Sequence, residues 1–292
     1  MRSTPVLAAE GFLFPEAPRW HGGRGEFLFS DIDRGVIHAW RPGSAPRRVY
    51  KHPGWISGSA FDGDKAMIVS AALQRQLYRV RLDDPDEATL FADLGELSEF
   101  AVNDLVRTRE GHCFLGSVDF DFAAFVRGQA PPRRSRLLHV APDGTSSIAS
   151  SATNFPNGMV ITPDGKQLIL ADSLDQCLYA FPLYPDGILG EPSVFAALPG
   201  EMPDGISLDA DGAVWVASHH RVLRVREGGR IVDEVDMGAT RATACMLGGA
   251  DGRTLLLTAS DSHDRDLIRS NPSGRIFSVE VASPGVGLPS VY

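Results

Sequence analysis

Two carboxylates and two carboxamides recur at one phase of this sequence. Glu16, Asn103, Asn157 and Asp204 each stand seven residues before a turn, and Ser57 and Ala244 fill the same place in two further units. Gathered at one point, two negative charges and two neutral oxygens form a hard donor set, suited to a divalent cation such as Ca²⁺ with water completing its shell. No Cys or His shares the phase, which weakens the case for a zinc site, although Zn²⁺, Mg²⁺ and Mn²⁺ stay open. Taken singly, an Asn or Asp before Gly is an ordinary turn residue whose side chain satisfies local backbone groups. Four in one phase, with only small residues in the other two places, favour convergence. Two carboxylates at a channel mouth without a cation would repel each other and shift their pKa values.

Convergence requires elements that carry the donors to a common axis, and one repeated unit does so. A loop residue leads a short apolar strand, a turn with Asp or Gly, a second apolar strand, a connection, and a third, alternating strand. In the fourth unit Asn157 opens the first strand, Pro163-Asp164-Gly165 makes the turn, and Leu168-Ile169-Leu170 and Leu178-Tyr179-Ala180-Phe181 follow. The fifth repeats it with Asp204, the Asp211-Gly212 turn, Val214-Trp215-Val216 and Val222-Leu223-Arg224-Val225. From Glu16 to Ala244 is 228 residues in five steps, a period of about 45.6, the length of a four-stranded propeller blade. The pattern predicts an all-β fold: a six-bladed β-propeller of four-stranded blades around a central channel, with residues 1–292 as one domain. No amphipathic stretch of helical length separates the strands, which argues against a parallel α/β sheet, and the pattern calls for no helix. A β-sandwich with the same turn signals is the alternative.

Composition sets the outer limits. The chain has 292 residues, 43% of them hydrophobic, and its 28 basic and 37 acidic side chains leave a net charge of −9. No apolar run reaches the roughly 18 residues of a membrane span, and the first twenty residues lack the basic start and apolar core of a secretory leader. The expectation is a cytoplasmic chain without a membrane partner. An acidic balance speaks against nucleic acid and suits a cation or a neutral ligand. Cys113, Cys177 and Cys245 are too far apart in sequence for a CxxC pair, and each reads as a small buried hydrophobe.

In a propeller the first strand of each blade lines the channel, so the connection from second to third strand returns to the donor end and rims the pocket. Two such connections are long, 117–135 and 260–274, and either could serve as a lid, with a solvated insertion as the alternative. The first offers Phe120 and Asp121 to a substrate; the second, Asp261-Ser262-His263-Asp264-Arg265-Asp266, is polar and expected to be mobile. Arg127, Arg133, Arg134 and Arg136 read as a solvated loop face. In blade five, His219-His220 falls in the corresponding connection, and on extended backbone only one of two neighbours can face the pocket. His219 is the candidate contact, against the default of a structural histidine. Asp104 and Asp172 adjoin the same face, whereas Asp209-Ala210-Asp211-Gly212, faintly like a calcium loop, belongs to the far one.

The segments Phe14-Pro15-Glu16-Ala17-Pro18-Arg19-Trp20, Asn103-Asp104, Phe155-Pro156-Asn157-Gly158-Met159, Thr162-Pro163-Asp164-Gly165, Pro203-Asp204-Gly205 and Val214-Trp215-Val216-Ala217 follow in order over nearly the whole chain. Together they resemble the senescence marker protein (regucalcin) and gluconolactonase family. The resemblance implies a six-bladed propeller lactonase, a carboxylic ester hydrolase acting on a small-molecule lactone, with a metal ion at one end of its channel. Carried over residue by residue, it implies Glu16, Asn157 and Asp204 as metal ligands, Asn103 as ligand or substrate contact, Asp204 as general base, and Asp104 as a contact to a sugar hydroxyl. In sugar-acting members an arginine often stands two residues before the asparagine. Here Ala101 occupies that position, flanked by Phe100 and Val102, so a less polar lactone fits as well as an aldonolactone.

The expected function is therefore metal-dependent opening of a lactone ring, with the ion activating water and Asp204 accepting its proton. A phosphotriester or arylester hydrolase on the same metal is a second reading, because the family also resembles diisopropyl fluorophosphatase in architecture. A non-catalytic calcium-binding propeller is a third, and carboxylates inside the channel argue against it.

Overall fold

The first and second strands of each unit read as near-continuous apolar runs because both of their faces are covered by neighbouring sheets. In the computed structural model, which describes residues 4–290, every residue of Pro15–His21 and Glu26–Asp31 is buried, whereas the outer strand Ile231–Asp236 is mostly exposed. Among the described residues twenty-four strands form six four-stranded antiparallel sheets, each in simple sequential order apart from the last. The result is a six-bladed β-propeller. Its inner strands are Pro15–His21, Ile56–Phe61, Ala101–Arg107, Pro156–Ile161, Ile206–Leu208 and Arg241–Gly248. Apolar layers lie between blades: Val160 and Ile169 of blade four meet Val214 and Val216 of blade five, and Trp215 meets Cys245 and Leu257 of blade six. All three cysteines are buried and free, as their spacing suggested.

Blade six is completed from the other end of the chain. Its outermost strand is Val6–Phe12, paired antiparallel with Gly274–Glu280, with Val6 opposite Ser278 and Phe12 opposite Gly274. That pairing closes the ring and leaves no propeller edge between first and last blade.

Two helices appear where the pattern called for none. They are α1, Phe122–Val126, and α2, Arg265–Ser270, one in each long connection. Segments of this length are not stable helices alone. Each is nucleated by an aspartate cap, Asp121 accepting from Ala124 N and Asp264 from Asp266 N, and each is held by packing on the rest of the ring. Among the described residues no helix is long and apolar enough to cross a membrane.

Candidate active site

The inner strands do not run regularly through the donor positions. In five blades the ladder slips there: between Glu16 and Arg19, Ile56 and Ser59, Val102 and Leu105, Pro156 and Met159, and Ala242 and Ala244. In blade five Asp204 lies just ahead of the inner strand, its N–H donating to Ala217 O at 2.9 Å. Such bulges re-aim side chains, and here they release the donors from the pleat at the channel mouth. After Asn157 and Asp204 the following residue must be small. A Cβ on Gly158 would stand 2.7 Å from Asp204 O, and one on Gly205 only 2.1 Å from Ala244 Cβ, so these glycines set how closely the blades converge. At the equivalent place in blade one Ala17 adopts φ 47°, a left-handed conformation unusual for a residue with a Cβ.

Side-chain hydroxyls and amides then stitch each blade to the next around the axis. Ser30 Oγ donates to Ser57 O at 3.0 Å, Ser57 Oγ to Val102 O at 2.9 Å, Asn103 Nδ2 to Pro156 O at 3.3 Å and Ser173 Oγ to Pro203 O at 2.6 Å. Gly205 N donates to Thr243 O at 3.0 Å, and Thr243 Oγ1 to Pro15 O at 2.8 Å, which returns the circuit to blade one. Ser57, a small residue at the donor phase, is thus part of this belt.

Glu16, Ser57, Asn103, Asn157 and Asp204 all line one cavity of about 740 Å³. Burial, then the charges of Asp204 and Asp104, push the Glu16 carboxyl well above the usual range, against a hydrogen bond from Ala17 N and the more distant Arg19. Burial and Asp104 raise Asp204 in the same way, partly offset by hydrogen bonds from Asn157 and the Gly205 N–H. Neither carboxylate has an ion pair among the described residues, because the guanidinium within the channel, Arg19, is committed to Asp104, Leu105 O and Ser59 O. A bound divalent cation would reverse that repulsion. The carboxamides fit it too: Asn103 and Asn157 direct Nδ2 to Pro156 O and Ser173 Oγ, leaving both carbonyl oxygens as donors to a cation. No three His, Cys, Asp or Glu side chains are grouped so that they could hold a metal ion among the described residues, so a metal centre here depends on these carboxamides.

Several expectations change. Asp104 is absent from the cavity wall: it is buried, and its Oδ1 pairs with Arg19 and accepts from Leu105 N at 2.8 Å. Asp172 is a clamp, accepting from Asn154 N at 2.7 Å and Phe155 N at 3.0 Å where the chain turns into the inner strand; Asp31 does the same for Leu13 and Phe14 in blade one. Asp121 lines the cavity while capping α1, and Phe120 packs edge-on to Phe125 at 5.5 Å and tilted on Phe155 at 5.5 Å. His219 reaches the cavity and takes φ 49°, while His220 turns away to Thr240 O. Arg127, Arg133 and Arg134 are exposed, as a solvated face requires, but three of the four arginines also carry ion pairs. Arg127 lines the cavity and bonds Asp264 at 3.0 Å and Asp266 at 2.6 Å, joining the two long connections; Arg136 pairs with Asp119 and Arg133 with Glu99.

The connection 260–274 is seated rather than loose. Arg265 bonds Asp33 at 2.5 Å and lies 4.4 Å over the Phe14 ring and 4.9 Å over Trp55, while His263 sits edge-on to Phe14 at 5.3 Å. Burial, helped by Arg265 and Arg241, lowers the His263 pKa from 6.5 to about 4. The folded protein therefore holds this ring neutral while the unfolded chain binds a proton below about pH 6.5. Stability is expected to fall by up to about 3 kcal/mol, relative to His263→Phe, as pH drops from 6.5 to 4. Urea unfolding of both proteins across that range checks it; parallel profiles would refute it.

Fold and donor set together define a class of protein: a six-bladed propeller whose axial cup of oxygen donors opens into an apolar-walled cavity. The chain belongs to the SMP-30/gluconolactonase/LRE-like family, whose model matches residues 14–261. Over 161 residues it is 30% identical to the 6-deoxy-6-sulfogluconolactonase of Pseudomonas putida, a match covering 53% of this chain and 55% of that enzyme, about half its length. With the pentonolactonase of Haloferax volcanii it shares 23% identity over 282 residues, 92% of this chain and 91% of the relative. Among solved structures, the calcium-binding protein regucalcin of Agrobacterium tumefaciens has the same fold, with a TM-score of 0.81 at 22% identity over 98% of this chain and 96% of that one.

Proposed function

We propose that this gluconolactonase-like enzyme, a carboxylic ester hydrolase, opens the ring of a small lactone with a divalent cation held by Glu16, Asn157, Asp204 and Asn103. One observation carries the reading: the buried carboxyl of Glu16 and the half-buried one of Asp204, without an ion pair among the described residues, line the same apolar-walled cavity as the carboxamides of Asn103 and Asn157. The cation, most readily Ca²⁺ given these oxygen donors and a calcium-binding relative in structure, supplies Lewis acidity toward the lactone carbonyl and makes water a better nucleophile at neutral pH. Asp204 accepts the proton of the attacking water and passes it to the alkoxide released as the ring C–O bond breaks. Asn157 keeps that carboxylate oriented through its hydrogen bond, and Glu16 contributes the second negative donor. Phe100, Ala101, Phe122 and Phe155 line the cavity and exclude water, which favours a less polar lactone over an aldonolactone.

The test is proton release by chelator-stripped protein after restoring Ca²⁺, Zn²⁺, Mn²⁺ or Mg²⁺ singly. Sugar, alkyl and aryl-fused lactones are offered beside a phosphotriester and an aryl acetate. Lactone opening should return with a metal and be faster on apolar rings. Turnover of only the phosphotriester or aryl acetate would favour the second hydrolase reading, and no turnover with any metal would favour the calcium-binding scaffold.

A further inference from the structure

Three arginines line the cavity, and two of them are occupied. Arg127 is held by Asp264 and Asp266, and Arg265 by Asp33 and the rings of Phe14 and Trp55. Arg241 has no ion pair and no side-chain hydrogen bond among the described residues. Asp261, next to its cross-strand partner Ser260, is taken by Arg275 at 2.6 Å, and the other arm of Arg275 bonds Thr240 at 2.8 Å. The two histidines of this wall, His219 and His263, supply no counter-charge, because an imidazole is neutral or cationic. A half-buried guanidinium beside apolar walls lacks the partners that its five N–H donors would otherwise find in water.

Its place in the ring is equally specific. Arg241 opens the inner strand of blade six as Ala101 opens that of blade three; the next residues, Ala242 and Val102, donate to His219 O at 2.7 Å and Ala72 O at 3.0 Å in the preceding blades. Blades three and six are opposite in a six-membered ring. One wall thus presents Phe100, Ala101, Phe120 and Phe122, and the other a single uncommitted cation.

We propose that Arg241 is a specificity-determining residue that anchors an oxyanion group, carboxylate or sulfonate, borne by a substituent of the lactone whose apolar body lies against the blade-three wall. The reaction in this statement rests on the lactonase reading; the binding does not.

The test uses aryl-fused lactones of one skeleton carrying a carboxylate, a sulfonate or the neutral methyl ester, with matching lactams that resist opening as binding probes. Wild-type protein should prefer an anionic lactone over the ester, and Arg241→Gln should reduce that ratio of kcat/KM about 10- to 100-fold, mainly through KM, with Arg241→Lys keeping most of it. Calorimetry on the lactams should show the same selective loss, and comparing the two anions identifies the preferred group. Equal losses on anionic and neutral partners, no wild-type preference, or no binding of either anionic lactam would each overturn the proposal. Anionic lactam bound through Arg241 by a protein that opens no lactone with any cation would refute the reaction and uphold the anchor.

Discussion

Asp204→Asn is expected to lower lactone turnover about 10³-fold or more in a protein that still folds and takes up the cation. The replacement is isosteric, keeps one oxygen donor at the cup, and removes a half-buried charge whose ionised form the channel disfavours. What it loses is the proton acceptor. Because a negative ligand disappears as well, affinity for the cation falls, so turnover has to be measured at saturating Ca²⁺ with metal content verified. Glu16→Gln provides the contrast: it also loses one ligand charge, but its turnover should recover substantially as the cation is raised, since Glu16 moves no proton. Activity of metal-loaded Asp204→Asn within tenfold of wild type would remove Asp204 from the proton-accepting role.

The second large effect is on stability. A cation at 100 times its Kd should raise the melting temperature by roughly 5–10 °C, the consequence of about 2.7 kcal/mol of linkage in a chain of this size. Its pH dependence follows from Glu16 and Asp204, whose folded-state pKa values lie above their unfolded ones. The stripped protein prefers these groups protonated, so their contribution to stability is lost as pH rises through the raised values. The cation removes that penalty and competes with the protons. The difference between loaded and stripped protein should therefore widen from about pH 5 to pH 8, and taking it at each pH cancels the separate effect of His263. Glu16→Gln should melt higher than wild type when stripped, because one buried charge is gone, and respond less to the cation. Scanning calorimetry with chelator or Ca²⁺ decides: identical melting at pH 8 in both would rule out a cation at this cup.

Some of this protein is written in short stretches of chain. The blade period is legible because each blade draws its turn and its buried strands from consecutive residues, so apolar runs and Asp-Gly turns return at a constant interval. The donor cup is legible for the same reason: Glu16, Asn103, Asn157 and Asp204 share a phase, and Gly158 and Gly205 follow two of them where a Cβ has no room. Features that depend on contacts between blades were not. Ser57 looked like a vacant donor place but belongs to a hydrogen-bonded belt whose last link, Thr243 to Pro15, joins residues 228 apart. Asp104 was matched to a substrate hydroxyl, yet its partner is Arg19, 85 residues away. Helices α1 and α2 are too short to show a helical period, and they exist because Asp121 and Asp264 cap them and Arg127 reaches 137 residues to join them. Arg241 gave only one weak signal, a basic residue shortly before the donor phase of blade six. Sequence alone determined the repeat and which oxygen-bearing residues stand at its axis, because both rest on local pattern. The tertiary structure decided which charges are compensated, since a charge finds or lacks its partner only when the ring closes.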